Sequence, residues 1–115
     1  MDRTERIGEY RKVIKSILHE YTRPFVQQSD GVDVVAVCDE NTDTYSVINV
    51  GWTGERRTNL TAVLMRIVNG QIWVESDNTM YRFVDELLAH GIKHDEIVIG
   101  FHTPRMRQYT DFAVA

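Results

Sequence analysis

Apolar residues recur every three to four positions in the N-terminal segment, which is the spacing of one face of an α-helix. The periodic positions are Ile7, Tyr10, Ile14, Ile17 and Tyr21. The pattern predicts an amphipathic helix from about Thr4 to Tyr21, ended by Pro24 and the turn residues 29–31. Because one face of this helix is apolar, we expect it to pack against another element.

Four later segments are short, rich in β-branched residues and separated by turn residues, which is typical of strands. They are residues 32–38, 44–50, 58–68 and 71–75. Asn69-Gly70 between the last two is a strong short hairpin signal. The segments predict a four-stranded antiparallel meander. Such a sheet commonly covers one face and leaves the other to solvent or a partner.

A second helix is predicted from about Thr79 to His90, with Asp77 or Asn78 as N-cap and Gly91 just past its end. Its expected buried stripe is Met80, Val84, Leu87 and Leu88. Residues 97–101 are a short apolar strand. The prediction is therefore one α+β domain over residues 1–115: an N-terminal helix, a four-stranded antiparallel meander, a second helix, a short final strand and a docked C-terminal tail.

The C-terminal tail, residues 100–115, combines charged groups with an apolar end. Residues 102–111 include a histidine, two arginines and an aspartate, and Phe112-Ala113-Val114-Ala115 follows. Terminal residues fray unless something holds them. We therefore expect the tail to dock against its own fold or a partner, with Phe112 and Val114 as the docking side chains.

The composition is that of an ordinary globular domain, with 43% hydrophobic and 26% charged residues. Cys38 is the one cysteine, which excludes an intrachain disulfide, and its apolar surroundings predict a small buried side chain. The charged first residues predict no signal peptide. No apolar run approaches the roughly 20 residues that span a membrane. A cytoplasmic location without membrane contact is expected.

The charge distribution favours a protein partner over nucleic acid. The net charge is −4, and residues 26–55 include acidic but no basic residues. Arg56 and Arg57 follow directly, close to Trp52. Arginine and aromatic residues are enriched at protein interfaces. Contact of these arginines with phosphate and stacking of Trp52 on a base is an alternative, which the acidic neighbours disfavour.

The histidines offer little catalytic or metal-binding chemistry. His90 and His94 have the i, i+4 spacing of a helical metal pair, but Gly91 is expected to end the helix between them. His102 precedes Arg105 and two further charged residues, so acid–base chemistry there is one interpretation. A tail held by hydrogen bonds and ion pairs is the simpler one. We predict no catalytic, cofactor-binding or metal-binding residues.

Two enzyme motifs are absent from the sequence. Residues 51–54 lack the Gly-Lys-Ser/Thr ending of a phosphate-binding P-loop. None of the three lysines has an acidic residue two positions upstream, as a restriction-type nuclease site requires. The sequence therefore predicts a protein that is not an enzyme.

Several strings occur in a specific order along the chain: residues 50–57 (VGWTGERR), 70–74 (GQIWV), 91–101 (GIKHDEIVIGF) and the tail from Pro104, which ends in RQYTDFAVA. Together they resemble the XisI family, small cyanobacterial proteins named as controlling factors for excision of the fdxN element. The resemblance covers nearly the whole chain. It implies a part in site-specific DNA excision, alongside a recombinase and a companion protein called XisH.

We therefore expect a non-enzymatic accessory factor that binds a XisH-like protein, and in addition a second copy of itself, with DNA contacted only indirectly. Two alternatives remain: a factor that binds DNA directly, and a small enzyme centred on His102. The candidate partner-binding residues are Trp52, Arg56, Arg57, Arg105, Arg107, Tyr109 and Phe112.

Overall fold

The computed structural model describes residues 2–25 and 31–115. Its helices and strands in chain order are α1 (Arg3–Thr22), β1 (Val32–Asp39), β2 (Thr44–Thr53), β3 (Arg56–Val68), β4 (Gln71–Asp77), α2 (Phe83–Ala89), β5 (Ile97–Ile99) and α3 (Pro104–Arg107). The predicted α+β architecture is confirmed. None of the helices in these two ranges is long and apolar enough to cross a membrane.

Helix α1 begins where the sequence pattern places it, within one residue. The Asp2 carboxylate accepts a hydrogen bond from the Glu5 backbone N–H at 2.8 Å, which satisfies one of the free donors at the helix start. Tyr10, Ile14 and Ile17 of the predicted apolar stripe are buried, Ile7 and Tyr21 at its ends are half-buried, and Leu18 is buried beside them. The predicted turn at residues 29–31 lies mostly outside the described residues.

The five strands form a single sheet in the order β1-β2-β3-β4-β5. The first four pair antiparallel as successive neighbours, which confirms the predicted meander. Asn69 and Gly70 both have positive φ, 51° and 76°, and they join β3 to β4 in a two-residue turn. Strand β5 pairs parallel to β4, because α2 carries the chain across before the strand begins.

The two faces of the sheet have different surroundings. The inner face packs against α1 and α2 and supplies most of the core, including Val47, Val63, Met65, Ile72 and Val74. The outer face is the opposite one, where the register places Val35, Val37, Trp52, Trp73 and Val98. No described helix longer than α3 covers the outer face, so much of it is available to a partner.

Helix α2 is shorter than predicted because residues 78–82 form a loop, and its N-cap is Arg82, not Asp77 or Asn78 as predicted. The Asp77 carboxylate accepts hydrogen bonds from the backbone N–H groups of Thr79 and Phe83, at 2.9 and 3.0 Å. The helix starts only after this loop, at Phe83. Placing Met80 in the buried stripe was wrong: it is 97% exposed, and Phe83 is buried instead. Gly91 follows the helix with φ 90°, as predicted.

Candidate functional site

The C-terminal tail starts with a short helical turn, α3. The Thr103 hydroxyl accepts a hydrogen bond from the Met106 backbone N–H at 3.2 Å, and Pro104 occupies the first position of the helix, where its missing N–H costs nothing. This turn directs Arg107 onto the outer face. The Arg107 guanidinium stacks over the Trp73 ring with its central carbon 4.8 Å from the ring centroid.

The end of the tail is docked by its backbone and by Phe112. The Ala113 N–H donates to the Ile97 carbonyl at 2.9 Å and forms a parallel bridge beside β5. Phe112 packs against the core cluster, with its ring 5.0 Å from that of His94. Val114, by contrast, is more than half exposed. The tail therefore docks against its own fold, through Phe112 but not through Val114.

Other tail side chains point outwards. Arg105, Met106 and Tyr109 are exposed, and so is Phe101 just before the turn. The side chains of the tail therefore fall into two groups. Arg107 and Phe112 contact the sheet and core of their own chain, while Arg105 and Tyr109 are presented to solvent.

The tip of the β2–β3 hairpin carries the second group of predicted residues. Trp52 is 54% exposed, and the Arg57 guanidinium lies 5.3 Å from its ring centroid. Arg56 is exposed next to it. Gly51 has φ 153° and packs directly against the Gly31 carbonyl, so a Cβ at Gly51 would collide with backbone. This close approach joins the ends of β1 and β2 beneath Trp52.

The structure separates the predicted residues into two groups. Trp52 pairs with Arg57 across the β2–β3 ladder, whereas Trp73, under the tail, pairs with Arg66. Arg57 and Arg66 are nine residues apart along β3, roughly 30 Å at the rise of a strand. The hairpin tip and the tail are therefore two surfaces at opposite ends of β3.

An apolar stripe extends from the hairpin tip along the outer face. Val35 and Val37 on β1 are both exposed by about two fifths, and the register places them beside β2 on the same face as Trp52. Ile48 and Val50, on the same face of the neighbouring strand β2, are half-buried. We call Val35, Val37, Ile48, Val50 and Trp52 the outer stripe.

A partly buried ion pair between distant parts of the chain was not predicted. The Arg6 guanidinium donates to both carboxylate oxygens of Glu96, at 2.5 and 2.6 Å, and the Tyr10 hydroxyl donates to the same carboxylate at 2.6 Å. These hydrogen bonds lower the pKa of Glu96 to about 2, while burial and the carboxylate raise that of Tyr10 to about 12. No sequence pattern signals contacts across 90 residues.

The described histidines and the cysteine form no metal-holding group. Within residues 2–25 and 31–115, no group of three or more His, Cys, Asp or Glu side chains is placed to hold a metal ion. The Nδ1 of His90 donates a hydrogen bond to the Glu86 backbone carbonyl at 2.8 Å. Cys38 is exposed, not buried as predicted, and partial desolvation raises its pKa, which disfavours the reactive thiolate.

Comparison with known proteins decides the family. The family model described as "XisI protein" matches residues 1–114. The chain belongs to the XisI family. No curated protein matches it.

Two crystal structures from Anabaena variabilis ATCC 29413 share the XisI fold with this chain. One is the fdxN element excision controlling factor XisI, with a TM-score of 0.83 and 35% identity over 96% of this chain and 99% of that one. The other is a XisI-like protein, with a TM-score of 0.87 and 32% identity over 94% and 98%. The resemblance in sequence is therefore confirmed, and the first relative is described as a controlling factor, not by a reaction.

Proposed function

We propose that this chain is a non-enzymatic accessory factor that helps to control excision of a DNA element, and that it acts in the cytoplasm by binding a XisH-like protein. Membership of the XisI family and the name of the first relative support a role in the control of excision. The observation that carries the binding mode is the exposed Trp52–Arg57 pair at the head of the outer stripe.

The chemistry of this surface favours a protein partner. Tryptophan and arginine dominate the binding energy of protein interfaces when they are surrounded by apolar contacts that exclude water. Trp52 stands at one end of the outer stripe, and the exposed Val35 and Val37 extend that apolar surface farther along the sheet. On the same face, Asp33 on β1 is exposed, and it pairs with Val50 in the register. This carboxylate would repel a DNA backbone and attract a basic partner.

The tail supplies a second contact in the proposal. Arg105 and Tyr109 are exposed on the tail, away from the hairpin tip, so in the proposal they contact a different part of a large partner. A second copy of this chain is the other partner proposed for these surfaces. Light scattering on the purified protein tests that self-association directly, because a dimer doubles the mass of the 13.3 kDa chain.

The test is the affinity for a XisH-like protein, measured by titration calorimetry at moderate salt. Trp52→Ala should weaken binding by at least about tenfold, or 1.4 kcal/mol. Met80→Ala is the matched control, because Met80 is also a large exposed apolar side chain but lies outside the outer stripe. The wild type, Trp52→Ala and Met80→Ala should have the same melting temperature.

Two results contradict the proposal. One is the absence of a complex at micromolar concentrations of both proteins. The other is equal weakening by the Met80 and Trp52 variants. A gel shift on element-end DNA tests the alternative: direct phosphate contacts must give an affinity that falls steeply as salt rises.

A further inference from the structure

Arg107 is the most buried arginine described and lacks a counter-charge. It is 9% exposed. No carboxylate among residues 2–25 and 31–115 lies within salt-bridge distance of it, although Arg6, Arg11, Arg66 and Arg82 each pair with one while being 28% to 78% exposed. A buried charge without a partner is unfavourable. The guanidinium least exposed to water is thus unneutralised.

The hydrogen bonding around Arg107 is also incomplete. Its Nη2 donates to the Gly100 carbonyl at 3.4 Å, which is a long hydrogen bond, and its buried Nε has no acceptor among the described residues. The Nε1 of Trp73, whose ring lies against the guanidinium, is also buried without a partner among the described residues. Native proteins rarely leave such groups unpaired, and two of them in contact need an explanation.

We propose that Arg107 is the centre of a carboxylate-binding site on the outer face. The Trp73 ring lies against the guanidinium, with 4.8 Å between its centroid and the central carbon. The Nη1 group makes no hydrogen bond within the described residues and is not among their fully buried unpaired atoms, so it is the donor left to meet a ligand. A carboxylate meets a guanidinium edge with two parallel N–H···O bonds, the geometry that arginine favours.

The surroundings favour a carboxylate over a phosphate. A single guanidinium balances one negative charge, whereas the neighbouring Arg105 is exposed on the other side of the short turn. The walls are aromatic or apolar: Trp73 beneath and the buried Val98 beside it in the ladder. A phosphate dianion would be poorly neutralised there, because phosphate sites usually combine several cations or backbone N–H groups.

Two kinds of ligand carry the carboxylate that this site would bind: an acidic side chain of a protein, and a small free carboxylate. The protein source rests on the proposed function, since Arg107 lies beside the exposed Tyr109 that we assign to partner contact. The site itself does not rest on it. The experiment therefore begins without any partner.

The first measurement uses the Trp52→Phe background, in which Trp73 is the one tryptophan left and reports on the site by fluorescence. Sodium acetate is titrated to about 100 mM against chloride at constant ionic strength, and capped Gly-Glu-Gly is compared with capped Gly-Gln-Gly. A saturable change with acetate and the glutamate peptide is expected. The glutamine peptide should give none.

Two variants identify the residue responsible. Arg107→Met keeps a long side chain on Trp73 and should abolish the response. Arg105→Met removes an exposed arginine two positions away and should leave it unchanged. If Arg107→Met fails to fold, Arg107→Lys keeps the charge without the planar fork and should weaken acetate binding by at least about fivefold.

Three results overturn the carboxylate site: no saturable response to acetate, an equal response in Arg107→Met, or tighter binding of inorganic phosphate than of acetate. The affinity of the Arg107→Met variant for the XisH-like protein then shows which of the two carboxylates the site binds. A loss of affinity on Arg107→Met supports an acidic side chain, whereas unchanged affinity overturns the protein source. Because the acetate titration contains no partner, its failure is distinct from a failure of the proposed function.

Discussion

Glu96 shows how a single side chain connects the two ends of the sequence. It accepts hydrogen bonds from Arg6 and Tyr10 on α1, and its Oε1 also accepts one from the Lys93 backbone N–H at 2.9 Å. The carboxylate therefore holds α1 against the loop that leads into β5. Each of these donors favours the ionised form, which is why the pKa falls.

The depressed pKa of Glu96 makes stability depend on pH. Its pKa is about 2 in the folded protein and near 4.5 in an exposed carboxyl. The stabilisation is thus complete above about pH 4.5 and is lost as the pH falls towards 2. We expect it to contribute about 2–3 kcal/mol at pH 7. Denaturant unfolding of wild type and Glu96→Gln at pH 7 and pH 3 should show a difference that shrinks at the lower pH.

The control for this prediction is Glu40→Gln. Glu40 pairs with Lys15 on the surface, and both side chains are well exposed. Surface pairs contribute at most about 1 kcal/mol. A Glu40 variant with the same pH dependence as the Glu96 variant would show that the effect comes from net charge and not from the partly buried Arg6–Glu96 pair.

At the scale of single residues, the sequence pattern did not predict which side chains are buried and which are exposed. Met80 fits a helical stripe by spacing, yet Asp77 delays the helix and leaves Met80 in the preceding loop. Cys38 sits in an apolar strand, but at the end of β1 it is exposed. The Arg107–Trp73 stack joins two residues with no sequence relation. These outcomes depend on tertiary contacts that no local pattern records.

The elements themselves were largely predictable, because periodicity and turn chemistry act locally. Helix α1 and the four meander strands follow apolar spacing, and Asn69-Gly70 determines a two-residue turn. The orientation of β5 was not predictable, since it depends on where α2 returns the chain. The start of α2 was misplaced because Asp77 caps it from a distance of six residues.

Asp77 should therefore determine the stability of α2. Its carboxylate accepts hydrogen bonds from the backbone N–H groups of Thr79 and Phe83, and also from the Thr79 hydroxyl at 2.6 Å. Asp77→Ala leaves these groups without their acceptor, and we expect a loss of about 1–2 kcal/mol. The shift in urea midpoint, at unchanged slope, measures it.

The matched control is Asp85→Ala in the same helix. Asp85 pairs with Arg82 on the surface, and both are more than half exposed. Its loss should cost at most about 1 kcal/mol. Equal midpoints for the two variants would contradict a capping role for Asp77.

At the scale of the whole molecule, the tail completes the fold. Ending the chain at Thr110 removes Phe112 from the core and Ala113 from the edge of β5. We expect a cost of about 2–3 kcal/mol, since a half-buried aromatic ring and a sheet contact are lost together. Thermal unfolding of the truncated protein checks this.

A second truncation isolates the docked part. Ending the chain at Ala113 removes only Val114 and Ala115, which are exposed. Its melting temperature should match that of the full chain. If both truncations behave like the full chain, Phe112 does not stabilise the fold, and the tail acts only at an interface.

The two edges of the sheet differ. The β5 edge is occupied by the bridge to Ala113, whereas β1 hydrogen-bonds only to β2 among the described residues. An unpaired strand is a template for another chain, and a sheet open on both sides can extend without limit. The bridge to Ala113 leaves less free backbone at the β5 edge than at β1. If another strand adds to this sheet, we therefore expect it to pair with β1.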